Sequence, residues 1–183
     1  MPLRNTTRRW GAIAQAFHWV IVALIVVQVT LAGMADDLPN GMRKLTLLAR
    51  HKSVGITILG LVILRLAWRW VNEHPPLPEN LKRYEQALAR FSHVALYVLL
   101  VAVPLSGWTM SSARGFPVSW FGFLQLPDLV PKSRPLYEAL LTTHHTLAWT
   151  LLALITLHAV AALKHHFWHK DDVLKRMLPF TRT

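Results

Sequence analysis

Ten histidines and no cysteine stand in this chain of 183 residues. Without thiols there is no disulfide framework, thiolate zinc site, iron–sulfur cluster or cofactor tethered through paired cysteines. Imidazole is then the main donor on offer, to a metal, a proton or a hydrogen bond. Four of the ten are distinguished by position: His18, His51, His144 and His158. His144 and His158 are 14 residues apart, which on a helix is about 21 Å of rise and close to four whole turns. They share one face at two heights. His145, 13 residues from His158, points well away from that face at about 100° per residue.

The elements that must carry these residues are apolar. No charged residue lies between Arg9 and Asp36, a stretch longer than the roughly 20 residues a helix needs to cross a bilayer. Similar stretches predict four spans, at about 11–33, 48–70, 91–111 and 140–164. The expected fold class is an all-α membrane protein, a four-transmembrane-helix bundle forming a single domain over 1–183. Arg65 and Arg69, near the far end of the second span, are placed to snorkel. Arg4, Arg8 and Arg9 give the first span the look of a signal peptide, but its apolar run exceeds the 7–15 residues of an h-region. A retained anchor is expected.

The composition is 53% hydrophobic with a formal charge of +11. In a membrane chain such charge belongs at the rims, so no nucleic-acid partner is expected. Thirteen of the twenty Lys and Arg residues fall on the side that holds both termini and the middle connection, which predicts cytoplasmic termini. Three prolines within Asn72–Pro78 make that connection a turn. The longest loop, roughly Ser111 to Leu136, contains Gly115-Phe116-Pro117 and Trp120-Phe121-Gly122-Phe123 and reads as an element in the membrane interface. Pro104 is read as a packing kink.

This topology sorts the histidines by depth. His18 and His158 lie toward the cytoplasmic side, His51 and His144 toward the outer side. Two imidazoles facing each other across a bundle can hold a haem iron from both faces. The same residues also suit interhelical hydrogen bonds, a proton relay or a divalent-cation path. The absence of Asp and Glu from all four spans weighs against transport, and spacing alone leaves the remaining alternatives open.

Two sequence patterns go further. Ile13-Ala14-Gln15-Ala16-Phe17-His18-Trp19, then His51-Lys52-Ser53-Val54-Gly55 and Leu64-Arg65-Leu66, form the first. The second is His144-His145-Thr146-Leu147-Ala148, His158 and Ala161-Ala162-Leu163-Lys164-His165-His166-Phe167, leading into Lys170-Asp171-Asp172 and Arg176-Met177-Leu178-Pro179. Together they resemble the bacterial cytochrome b561 family over nearly the whole chain.

The resemblance implies a four-helix protein of the bacterial inner membrane with two non-covalent haem b groups between its helices. It also implies electron exchange with quinone, ubiquinone being the substrate or bound quinone. Carried onto this chain, His18 and His158 would ligate one haem iron and His51 and His144 the other. Some members are similar to superoxide oxidases, which pass an electron from superoxide to ubiquinone. The alternative implied role is that of a cytochrome b relay or anchor subunit of a larger quinone-linked dehydrogenase or hydrogenase.

The family has a non-axial histidine at the position of His93, which would contact quinone or a propionate; a helix-packing hydrogen bond is the plainer role. Arg65 would pair with a propionate or with lipid phosphate. His165, His166 and His169 belong to a solvated interface, with His165 within reach of a quinone headgroup. Arg43, Lys44, Arg50 and Lys52 would form a positive funnel for a small anion such as superoxide, weakened by Asp36 and Asp37, or would contact lipid headgroups.

Overall fold

A computed structural model describes residues 2–7, 9–73, 75–76 and 82–179. Four helices dominate it: α1 (Ala12–Asp36), α2 (Met42–Trp70), α3 (Arg83–Arg114) and α4 (Arg134–Lys164). All are long and apolar enough to cross a membrane, so the chain is an all-α, multi-pass membrane protein. Each helix runs past the apolar stretch that marks it in the sequence, because charged residues do not end a helix. Caps do. Gly115, at φ 81°, closes α3 in the left-handed conformation, with Gly115 N–H on Ser112 O and Phe116 N–H on Ser111 O. The Ser133 hydroxyl starts α4 by accepting from Leu136 N–H, with Pro135 in the first turn. Helix α3 continues unbroken through Pro104.

Helix α1 packs on α2 and α3 packs on α4, the two pairs meet along α2 and α3, and the backbones of α1 and α4 stay apart. The buried core is Ile21 of α1 with Val54, Ile58 and Val62 of α2, backed by Leu24, Ile25, Leu100 and Val101. It lies on the α1–α2–α3 side of the bundle. Helix α4 contributes Leu151 as its only buried residue. Helix α4 is fastened through α3, and the stripe it turns inward sets His144 and His158 among half-buried aliphatic residues such as Leu140, Leu147 and Ile155.

The long loop is a hairpin. Strands β1 (Ser119–Trp120) and β2 (Leu124–Gln125) pair antiparallel around Phe121 (φ 48°) and Gly122 (φ 81°). Phe121, Phe123 and Leu124 remain exposed, as befits a membrane-interface element. The ties to α2 and α3 are specific. Ser53 Oγ donates to Ser119 O and accepts from Phe121 N–H, each at 3.0 Å. Trp120 Nε1 donates to Thr57 Oγ1 and Trp108 Nε1 to Pro127 O, both at 3.0 Å. Lys52 donates to Ser111 Oγ at 3.2 Å and to Pro117 O at 3.1 Å. One cation of the expected funnel is thus occupied in fastening the loop, and Lys44 donates to Leu38 O. Arg43 and Arg50 stay exposed.

At the opposite end the termini interlock. Trp10 N–H and Gln15 Nε2 both donate to Arg176 O, Trp19 Nε1 donates to Met177 O, and Arg176 Nη1 reaches Pro76 O. Asn5 bridges its side-chain amide to Glu73 O at 2.8 Å and accepts from Gly11 N–H at 2.9 Å. Both termini and the middle connection thus lie on one face, the terminal face; the hairpin marks the loop face. His74 and residues 77–81 of that Pro-rich connection lie outside the described residues. Gly11 is glycine for a steric reason: a Cβ there would sit 2.4 Å from the Arg4 carbonyl carbon. That close crossing lets Pro2 O and Leu3 O take the first free N–H groups of α1.

Candidate functional site

Two groups of imidazoles lie at opposite ends of the bundle. On the loop face, His51 of α2 and His144 of α4 approach with ring centroids 6.4 Å apart and planes at 82°. Their helices do not pack on each other, so the rings span the interior. Each ring is held from behind by a backbone carbonyl. His51 Nδ1 lies 3.3 Å from Gln28 O, and His144 Nδ1 lies 3.1 Å from Val103 O and 2.9 Å from Ser106 Oγ. An Nδ1–H donated to a carbonyl fixes the tautomer that leaves the Nε2 lone pair free, as metal-ligating histidines require. The Gln28 side-chain amide takes advantage of that lone pair, with its Nε2 3.0 Å from His51 Nε2.

The separation suits a shared metal. With a metal–imidazole bond of about 2 Å and about 1 Å from nitrogen to ring centre, two imidazoles on one ion have centroids about 6 Å apart. His145, the neighbour that helical geometry turns away, is exposed.

The terminal face is more crowded. His93 of α3 touches His158 of α4, with centroids 5.5 Å apart and planes at 63°. His18 of α1 accepts at Nδ1 from Arg65 Nη1 at 3.0 Å, and Arg65 Nε donates to Tyr97 Oη at 3.1 Å. His18, His93, His158 and Arg65 are near enough to interact electrostatically. The Arg65 and Arg69 guanidiniums lie 5.8 and 6.0 Å from the Tyr97 ring centroid. Among the described residues neither arginine has a carboxylate partner. Half-buried cations without a carboxylate partner suit an anionic group, a haem propionate or a lipid phosphate alike.

A model of the prokaryotic cytochrome b561 family matches residues 9–180. The chain belongs to the prokaryotic cytochrome b561 family. Cytochrome b561 homolog 2 of Escherichia coli is 37% identical, with 97% of this chain and 95% of that protein covered. The probable superoxide oxidase CybB of Yersinia pestis is 30% identical over 96% of this chain and 98% of its own length. Membership implies a haem b, and the residues present fit one: imidazoles that face each other across the bundle at each end, those on the loop face with Nδ1 against carbonyls, guanidiniums without a carboxylate partner among the described residues on the terminal face, and no cysteine for covalent attachment.

Several supporting residues escape a reading of histidine positions. Gln28, Tyr97 and Arg69 are among them, and so is the segment Pro104-Leu105-Ser106-Gly107 of α3. That segment cradles His144: Val103 and Ser106 hold its Nδ1, and a Cβ at Gly107 would stand 2.9 Å from His144 Cε1. The legible signal was a Pro, a Ser and a Gly close together in a membrane helix. We expect Gly107→Val to push the His144 ring off its carbonyl and to lower the haem content per chain. Pyridine-haemochrome assay per chain checks this, with Gly60→Ala, at an open position, as the neutral control.

Proposed function

We propose that this chain is a di-haem b cytochrome of the bacterial inner membrane that carries electrons across the bilayer to ubiquinone, with superoxide as donor. The observation that carries this reading is the pair of imidazole groups at the two ends of one bundle, the loop-face pair held at 6.4 Å. His51 and His144 would ligate the haem on the loop face, and His18 and His158 the one on the terminal face. Each haem supplies one-electron redox chemistry at its iron when bound. The protein's part is to fix the rings, exclude water and set charge. Gln28 O and Val103 O orient the loop-face imidazoles. Arg65, beside Tyr97, is placed to hold a propionate.

The charge excess on the terminal face supports cytoplasmic termini, and hence a periplasmic loop face. There Arg43 and Arg50, exposed at the mouth, would raise the encounter rate of a small anion in a salt-dependent way. The relative named a probable superoxide oxidase supports the choice of donor. The overall change balances as two superoxide, one ubiquinone and two protons giving two dioxygen and one ubiquinol.

The test is a reduced-minus-oxidised optical spectrum with haem quantification on detergent-purified protein, followed by superoxide and then a soluble ubiquinone in the same cuvette. Two haems per chain that superoxide reduces and quinone reoxidises are expected. Two haems indifferent to superoxide would reassign the donor and favour a relay subunit of a larger complex. A colourless protein would overturn the reading.

A further inference from the structure

We infer that the loop-face ends of α3 and α4 form a site for the phosphodiester of an anionic membrane phospholipid. Its cations are Arg114 at the end of α3, Lys132 in the long loop and Arg134 in the first turn of α4. With Ala113, Tyr137 and Glu138 they line a cavity of about 330 Å³.

The backbone brings these side chains together. Ser133 N–H donates to Ala113 O at 2.9 Å, which staples the start of α4 to the last turn of α3. Gly115, left-handed at φ 81°, lets the Lys132 chain cross the helix end, since a Cβ there would stand 3.1 Å from Lys132 Cδ. The Arg114 guanidinium lies against two rings, its Cζ 5.3 Å from the Phe116 centroid and 5.0 Å from that of Tyr137. A guanidinium held by aromatic rings keeps its five N–H donors for an oxygen ligand.

The charge is largely uncompensated. Arg134 is answered by Glu138, Nε to Oε1 at 3.0 Å, in an exposed pair. Among the described residues Arg114 and Lys132 have neither an ion-pair partner nor a side-chain hydrogen bond. Lys52, tied to the loop, is close enough to Arg114 to add to the positive potential. Three cations therefore line the cavity against one carboxylate.

Place and donor set together select the ligand. Helices α3 and α4 are long and apolar enough to span a membrane, so their ends lie at the depth of the headgroups. A half-buried tyrosine such as Tyr137 suits that depth. A phosphodiester offers two unesterified oxygens, which a planar guanidinium and a compact ammonium can share. A zwitterionic headgroup would carry a further cation into a cavity already in positive excess. Phe116 and Leu136, both exposed, flank the site with apolar surface for acyl chains. A free phosphate makes no use of that surface.

The experiment is native mass spectrometry of the full-length haem-loaded chain, released from detergent micelles holding phosphatidylglycerol or phosphatidylcholine with the same acyl chains. One phosphatidylglycerol per chain is expected to stay bound at concentrations where phosphatidylcholine does not. Arg114→Gln with Lys132→Gln should weaken that binding by about tenfold or more and keep the haem spectrum. Arg43→Gln with Arg50→Gln removes the same charge from the loop-face mouth and should leave it unchanged. Glycerophosphoglycerol, the same headgroup without chains, should not displace the lipid. Lys132→Gln alone, at an exposed position, carries the test if the double variant fails to fold. A wild-type chain without preference between the two lipids would overturn the inference. Equal weakening in the two double variants would do the same, reducing the effect to general charge, and displacement by the free headgroup would replace the lipid with a soluble phosphodiester.

Discussion

His144→Ala is expected to leave a folded chain with about half the wild-type haem. The reason is local. His144 brings one of the two loop-face imidazoles, and its removal strips His51 of the partner ring 6.4 Å away. The fold tolerates the loss because Val103 O keeps Ser106 Oγ as donor at 2.8 Å, so no buried carbonyl is orphaned. His51→Ala should give the same loss from the opposite side of the interior. His145→Ala should retain the full complement, since that ring is exposed on the far side of α4. Haem per chain by pyridine haemochrome, with a potentiometric titration to show which component disappears, checks all three. Two haems surviving in His144→Ala would sink the assignment of this end.

The contrast between His144 and His145 shows how much the sequence could say. Adjacent histidines are indistinguishable in composition, yet the 14-residue interval to His158 separates their faces because helical rotation accumulates regularly. The same regularity made the four helices legible, since a bilayer demands long apolar runs. What supports His144 was hidden for a different reason. The Val103 carbonyl is a backbone group that every residue has, and only its placement beside the ring makes it functional. Gly107 reads as flexibility until its missing Cβ is seen to be the space the ring fills.

The ends of the molecule were less legible still. The hairpin depends on two positive φ values, at Phe121 and Gly122, and a phenylalanine advertises no such turn. Asn5 looks like an ordinary polar residue before the first span, yet it joins Gly11 to Glu73. Lys52 was read with the cations of the loop-face mouth because charge is visible in sequence and hydrogen-bond partners are not.

His18→Ala against His93→Ala is the sharper test on the terminal face, where geometry and family resemblance point to different neighbours of His158. His93 makes the ring contact, at 5.5 Å, whereas the resemblance pairs His158 with His18, now hydrogen-bonded to Arg65. The Arg65 bond is the less durable of the two. A guanidinium prefers an anionic oxygen to a neutral imidazole nitrogen, so a propionate beside Arg65 would draw it away and leave His18 available.

His18→Ala is therefore expected to lose one haem, down to about half the wild-type content, whereas His93→Ala should keep both and shift the potential of one. The reverse outcome, haem lost with His93 and kept without His18, would reassign the axial ligand to α3. Sites about 21 Å apart along α4 should respond independently. A His18→Ala, His144→Ala double variant should consequently be colourless, and any residual haem spectrum in it would mean that one face still holds two competent ligands.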